Sequence, residues 1–170
     1  MVRPGDTSSR RNYIDRWVDE NEARMRVRDL IRDKSATVIT VQAKDELSTA
    51  IRLLMRHNIG GLPVVANDGS VVGILAERDV VRAAYETPFA FGSLRVQDLM
   101  RPAPTCDVDD PIADVMHRMT VQRQRHFLVL DEGKLVDVLS VGDLLKDRLR
   151  QLETEADVLR DYVAAQRAAH

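Results

Sequence analysis

Two short segments carry the residues best suited to chemistry: Gly73-Ile-Leu-Ala-Glu-Arg-Asp79 and Asp137-Val-Leu-Ser-Val-Gly-Asp143. In each, an apolar β-type run passes into a helical pattern, and the aspartate falls in the first turn of the helix. A helix start presents unpaired backbone N–H groups and the positive end of the helix dipole, which suits a phosphate. A carboxylate one turn in accepts two hydrogen bonds from a vicinal diol such as a ribose offers. Phosphate plus diol describes a nucleotide. Ser140-x-x-Asp143 also fits a helix capping box, in which hydroxyl and carboxylate each satisfy the other's backbone amide, and taken alone that is the better reading. Ala76 has no hydroxyl to cap with, yet Asp79 is present, which points to a separate task for the aspartate. Arg125-His126 offers a basic pair for phosphate, with a solvated basic loop that includes Arg123 as the alternative.

The elements that must hold these segments occur twice. Gly69 to Gly133 and Asp79 to Asp143 are both 64 residues apart (133 − 69 and 143 − 79), so one register runs from turn to aspartate. Each copy reads as βαββα. The first has a β-branched run from Val38 to Val41 and a helical stripe of Leu47, Ala50, Ile51, Leu54 and Met55. Strands Leu62 to Val65 and Val71 to Leu75 follow, joined through Asn67-Asp68-Gly69, residues that tolerate the positive φ of a tight hairpin. A helix starts near Glu77. The second copy repeats this with Val108, the stripe Ile112, Val115, Met116 and Met119, strands Phe127 to Leu130 and Leu135 to Leu139, and the turn Asp131-Glu132-Gly133.

The expected organisation is a partly helical N-terminal extension over 1–24, repeat 1 over 25–86, a linker over 87–94, repeat 2 over 95–147 and a C-terminal helix over 148–170. Tyr13, Ile14, Trp17, Val18 and Ala23 suggest an amphipathic helix over 9–25, and Phe89 and Phe91 in the linker are expected to cover the core. Leu145, Leu149, Leu152, Ala156, Leu159 and Val163 alternate spacings of four and three. Such a heptad seam needs a partner surface, on its own subunit or on a second chain.

Bulk properties narrow the function. At 44% hydrophobic and 31% charged, the 170 residues match an ordinary globular chain, long enough for two small units packed together. With Lys+Arg 25 against Asp+Glu 27 there is no basic excess for nucleic acid, so phosphate recognition must be local. The single cysteine, Cys106, excludes an internal disulfide, fits a reducing compartment and reads as a buried structural thiol. No apolar run approaches the ~18 residues of a membrane helix and no leader pattern is present, so a cytoplasmic protein without membrane contact is expected. His57, His117, His126 and His170 lack metal-ligand spacing. No nucleophile and base, and no recognisable pair of catalytic carboxylates, point to an enzyme.

Gly73 to Asp79, Ile59-Gly-Gly-Leu-Pro-Val64, Arg125-His-Phe-Leu-Val129 and Leu139-Ser-Val-Gly-Asp143 together resemble a tandem pair of cystathionine β-synthase (CBS) domains, also called Bateman modules, over roughly residues 25 to 147. The resemblance implies an α+β fold of two βαββα repeats packed sheet to sheet about a pseudo-twofold axis, and a homodimer shaped like a flat disc of four repeats. The family pattern is Gly, a hydrophobic residue, any residue, Ser or Thr, two residues and Asp. Matched residue by residue, it implies Asp79 and Asp143 as ribose ligands and Ser140 as a phosphate ligand. It further implies clefts walled by both copies, with Arg125 and His126 near phosphate, and Thr37, Val38, Thr105 and Cys106 near base or ribose. Ile59, Leu62 and Pro63 would help wall the base, with ordinary core packing as the alternative reading of these apolar residues. Two residues depart from the pattern: Ala76 replaces Ser or Thr, and Asp137 replaces Gly, its carboxylate expected to point to solvent from a strand edge.

The implied function is a stand-alone regulatory module that binds an adenine nucleotide, AMP first, with ATP, NAD or S-adenosylmethionine as rivals. Without a fused catalytic or membrane domain, its output would pass through an unidentified protein partner or the dimer's shape. The alternative is a scaffold or accessory subunit that binds no ligand and acts through its flanking helices.

Overall fold

The computed structural model describes residues 25–32 and 37–168, without the side chains of 161–163 and 165–168. Apart from Met25, the helix expected over 9–25 lies outside the described residues, as does the side chain of Val163. In chain order the elements are α1 (Val27–Ile31), β1 (Val41–Gln42), α2 (Leu47–His57), β2 (Gly61–Val65), β3 (Val71–Ala76), α3 (Glu77–Glu86), a 3₁₀ turn (Phe91–Ser93), α4 (Val96–Leu99), β4 (Thr105–Asp107), α5 (Ile112–Val121), β5 (His126–Asp131), β6 (Lys134–Ser140) and α6 (Val141–Ala168). The strands form two three-stranded sheets, β1-β2-β3 and β4-β5-β6, each with one parallel and one antiparallel pair. This is the expected α+β architecture of two repeats.

The 64-residue offset holds only from the hairpin onward. Val64 pairs with Gly73 and Val129 with Asp137, so β2 and β5 are offset by 65 (129 − 64) while β3 and β6 are offset by 64 (137 − 73). The difference lies in the turn. Asn67-Asp68-Gly69 spans from Ala66 to Ser70, joined by the Ala66 N–H to Ser70 carbonyl bond of 2.9 Å. In repeat 2 only Glu132 and Gly133 separate the paired residues Asp131 and Lys134. Their φ values of 48° and 77° are the successive left-handed residues of a type I′ hairpin.

The first strands are shifted from the expected runs. β1 begins at Val41 rather than Val38, and β4 occupies Thr105–Asp107, with Val108 just beyond it in the core. Leu128 extends the second ladder by donating its N–H to the Pro104 carbonyl at 2.9 Å. Its counterpart at an offset of 65 is Pro63, which has no N–H to give, so the first ladder starts later.

Each repeat has its own core, but neither closes it alone. Val96, from the opening helix of repeat 2, lies buried with Leu47, Leu54, Leu62 and Leu75 of repeat 1. Val27, from the opening helix of repeat 1, lies buried with Val115, Phe127, Val129 and Leu139 of repeat 2. Backbone bonds fix the exchange: Arg28 N–H to the Val108 carbonyl at 2.8 Å, and Gln97 N–H to the Ala43 carbonyl at 2.8 Å. The buried stripes of α2 and α5 are narrower than expected, because Met55 and Met116 face outward, Met55 at 74% exposure. Phe91 packs on the first core whereas Phe89 is fully exposed.

α6 runs unbroken across the boundary expected at 147/148. It buries Leu144, yet Leu145, Leu149, Leu152 and Leu159 are exposed, so this chain does not cover its own heptad seam at those positions.

Candidate functional site

Both aspartate motifs sit where the third strand of a repeat turns into a helix, at the junction of the two repeats. At the start of α6, Ser140 and Asp143 form a reciprocal cap. Asp143 Oδ2 accepts the Ser140 N–H at 2.8 Å and the Ser140 hydroxyl at 2.6 Å, while the Asp143 N–H donates to Ser140 Oγ at 3.2 Å. The capping role is therefore present. A carboxylate offers about four acceptor positions, so capping does not exclude a diol.

Beside this cap is a cleft of about 710 Å³ with walls from both repeats. Thr37, Val38, Ile39, His57 and Ile59 come from the first; His126, Asp137, Ser140, Asp143 and Lys146 come from the second. Asp137 does not point to solvent as expected: it is half-buried, borders the cleft, and its Oδ1 accepts the Val138 N–H at 2.7 Å. The counterpart position shows why. A Cβ at Gly73 would come within 2.8 Å of the Arg101 carbonyl oxygen, so that side of the strand looks into the junction between repeats.

The Asp79 motif is built differently. Asp79 is 7% exposed; its Oδ2 accepts the Ala76 N–H at 3.0 Å and pairs with Arg101 Nε at 3.3 Å. It keeps half of a capping box and adds a buried ion pair, so its presence beside Ala76 has a structural cause. The adjoining cleft, about 520 Å³, is lined by Gly60, Ala76, Glu77, Arg78, Arg101, Arg125, His126, Ser140, Val141 and Gly142.

His126 is the shared wall of the two clefts, which also have Gly60, Ser140 and Gly142 in common. Its ring lies over Gly60 and Gly61, where an added Cβ would come within 3.2 and 3.1 Å of ring atoms. At an offset of 65, Gly61 is the counterpart of His126 itself. Near a pseudo-twofold axis two bulky groups collide, and here one repeat supplies the ring and the other supplies the space. Burial lowers the imidazole pKa from its ordinary value, with Arg101 and Arg125 acting the same way and Asp143 and Glu77 opposing.

The junction thus brings together Asp143, Ser140, His126, Thr37, Val38 and Ile59, with Arg125 on the Asp79 side. Leu62 is fully buried in the first core, and neither it nor the buried Pro63 borders either cleft. Thr105 lies on β4, its carbonyl accepting a bond from the Arg118 guanidinium. Cys106 is buried in the second core, where burial first and Asp110 second push its thiol up to about 12. At an offset of 65 the counterparts of Thr37 and Val38 are Pro102 and Ala103, not Thr105 and Cys106. Arg78, Arg101, His57 and Lys146 border the clefts without having been singled out in the sequence. Counting 64 or 65 residues on from Thr37 leads to Arg101 or Pro102, which is the sequence signal for the Arg101 segment. Among the described residues there is no group of His, Cys, Asp and Glu able to hold a metal, and no helix long and apolar enough to cross a membrane.

The CBS domain model matches residues 27–86 and 96–150. The chain belongs to the CBS domain family. An inosine-5′-monophosphate dehydrogenase of Methanocaldococcus jannaschii is 34% identical over 115 residues, which cover 65% of this chain but 22% of that enzyme, so the match leaves most of the enzyme aside. A CBS-domain containing protein of Agrobacterium tumefaciens is 33% identical with a TM-score of 0.69, covering 73% of this chain and 99% of that one. A CBS domain protein of Pyrobaculum aerophilum complexed with AMP is 22% identical with a TM-score of 0.67, over 78% of this chain and 99% of that one, a likeness of fold.

Proposed function

We propose that this CBS pair is a regulatory module, not an enzyme, that binds an adenine nucleotide in the cleft of Asp143. AMP is its principal ligand, ahead of ATP, NAD and S-adenosylmethionine. The observation that carries the reading is the meeting of Asp143 and Ser140 at a helix start inside a cleft walled by both repeats. Asp143 would hold the ribose hydroxyls, Ser140 and the first turn of α6 the phosphate, and Ile59 with Val38 the base. The fold neighbour complexed with AMP supports the ligand class. The exposed leucines of α6 support a homodimer or a protein partner as the route of output.

Isothermal titration of AMP and 2′-deoxy-AMP against wild type and Asp143→Ala tests this. Each charge-assisted bond to a ribose hydroxyl contributes about 1.5–3 kcal/mol, so the substitution should weaken AMP binding at least ~10-fold and abolish the penalty for the deoxy analogue. An unchanged deoxy penalty removes the ribose role.

The second reading, a ligand-free scaffold, is favoured by the engagement of both aspartates within the protein. It predicts no thermal shift with any nucleotide, whereas a ligand at a hundredfold excess over Kd stabilises by about 2.7 kcal/mol.

A further inference from the structure

α6 leaves a long apolar stripe without a partner in its own subunit. Leu144, Arg148, Gln151 and Glu155, buried or half-buried, mark the side of the helix turned to its own repeats, where Gln151 Nε2 meets Met25 Sδ at 3.6 Å. With 3.6 residues per turn, Leu145, Leu149, Leu152 and Leu159 fall about a quarter of a turn away, and all four are exposed. Half-buried Ala156 fills the remaining place in the stripe. A second helix can therefore lie along it while α6 stays attached to its repeats.

Spacings of four and three assign Leu145, Leu152 and Leu159 to heptad position d, and Leu149 and Ala156 to position a. The flanking charges follow: Arg148 and Glu155 at g, and Lys146, Glu153 and Arg160 at e. In a parallel, in-register pair a g residue faces the next e residue of the other helix. Arg148 then meets Glu153 of the partner subunit, and Glu155 meets Arg160 of the partner subunit. Twofold symmetry makes each contact twice, and every leucine meets its own copy. Antiparallel pairing achieves only one of these things. With Leu149 on Leu159 the leucines are covered, but Glu153 meets its own copy and so does Glu155. With Leu149 on Leu152 opposite charges meet, but Leu159 faces Gly142. Arg148 already donates to Gln151 Oε1 at 3.2 Å and Arg160 to Asp157 Oδ1 at 2.8 Å, and a guanidinium with five donors keeps capacity for a second carboxylate.

We infer that α6 forms a parallel, two-stranded coiled coil with a second copy of this chain, its direction and register set by Arg148, Glu153, Glu155 and Arg160. The second copy is thereby the partner for the exposed leucines, and in that respect the pairing rests on the output route proposed above. Leu145 follows Asp143 by two residues, so a parallel pair holds both Asp143 clefts at the same end, where an antiparallel pair would hold them at opposite ends.

Cysteine substitution in the full chain tests direction and register. Like positions in the core of a parallel pair are close enough for a disulfide, so Leu145→Cys and Leu159→Cys, at the two ends of the stripe, should each give an interchain disulfide under mild oxidation at about 100 μM protein. Either antiparallel register separates these like positions by about 15 Å or more along the axis. Val158→Cys, exposed on the same helix but off the stripe, should cross-link at least about 10-fold less. Cys106 is buried with its thiol pushed up to about 12 and stays out of the exchange. Sedimentation equilibrium reads the charges. Arg160→Glu opposes two carboxylates and should weaken self-association at least about 3-fold, and Glu155→Arg added to it should restore association to within about 2-fold of wild type.

Absence of the disulfide at either end overturns the coil, as does cross-linking of Val158→Cys equal to that of the stripe. An Arg160→Glu defect that is missing, or that Glu155→Arg fails to repair, overturns the register. AMP titrated against the same variants reads the nucleotide cleft independently: AMP binding without the disulfides removes the coil alone, and disulfides without AMP binding remove the nucleotide reading alone.

Discussion

Replacing Asp79 by alanine should be among the most damaging single changes in this protein, although the side chain itself is not apolar. The side chain does two things at once: Oδ2 holds the Ala76 N–H at the start of α3, and it neutralises Arg101 at 3.3 Å. Loss of a helix cap costs about 0.5–2 kcal/mol. Removing one partner of a fully buried ion pair costs about 3–5 kcal/mol, but Arg101 is 22% exposed and can turn partly to water, so the lower half of that range is the ceiling here. The two effects share one carboxylate, and together they give about 2–4 kcal/mol. For a chain of this size that lowers Tm by roughly 4–16 °C. Arg101→Met keeps the aliphatic stem and should cost about 1 kcal/mol, since Asp79 retains its amide bond. Chemical denaturation of the two single variants and the double variant then yields a coupling energy, expected at about 1–2 kcal/mol. A cost for Asp79→Ala within about 0.5 kcal/mol of zero, or strict additivity in the cycle, would refute this double role of Asp79 as cap and ion-pair partner.

Gly73→Ala places a Cβ 2.8 Å from the Arg101 carbonyl and should destabilise by about 1–3 kcal/mol, whereas Gly92→Ala meets nothing within 4 Å and should be near neutral; thermal melts of the two compare them directly. His126 has its folded pKa depressed, chiefly by burial, so below the ordinary value of 6.5 the unfolded chain takes up a proton that the folded one resists. Stability should therefore fall as pH drops through that region, by up to about 1.4 kcal/mol per pH unit, and His126→Phe should flatten the profile; parallel slopes for the two proteins would exclude His126 as the cause. Leu152→Asp with Leu159→Asp alters exposed positions on α6 and should leave Tm nearly unchanged while dissociating any assembly built on that face. Light scattering reads the mass, and an undisturbed dimer would move the interface to the repeats.

Much of the fold was legible because it rests on local periodicity. The stripes of α2 and α5, the hairpins at Gly69 and Gly133, and the helix start at Glu77 each follow from residues close in sequence. What escaped was set by contacts between distant segments. The late start of β1 depends on the missing N–H of Pro63, visible only once the parallel register is known. The exchange of α1 and α4 leaves no periodic signature, since Val27 and Val96 look like ordinary starts of their own repeats. Around the Asp143 cleft, Asp143, Ser140, His126, Thr37, Val38 and Ile59 come together. Thr105 and Cys106 do not: they lie 68 residues beyond Thr37 and Val38 (105 − 37), which neither offset reaches, and they belong to β4 itself, whose place in the sheet is set by its pairing with β5. The ion pair that sets Asp79 apart from Asp143 joins residues 22 apart in sequence, Asp79 and Arg101, and leaves no local signature.

α6 has the reach of a lever as well as a place in the wall of the cleft. Its 28 residues extend for about 42 Å at 1.5 Å per residue, and its first turn contains the very cap, Ser140 with Asp143, that borders the larger cleft. A tilt of about 5° at that end carries the far end through about 4 Å, a displacement comparable to the pitch of a helical turn. A rearrangement of one hydroxyl and one carboxylate at the fulcrum would thereby be magnified into a movement large enough for another macromolecule to read. The exposed leucines lie along the arm, where such an excursion would be felt.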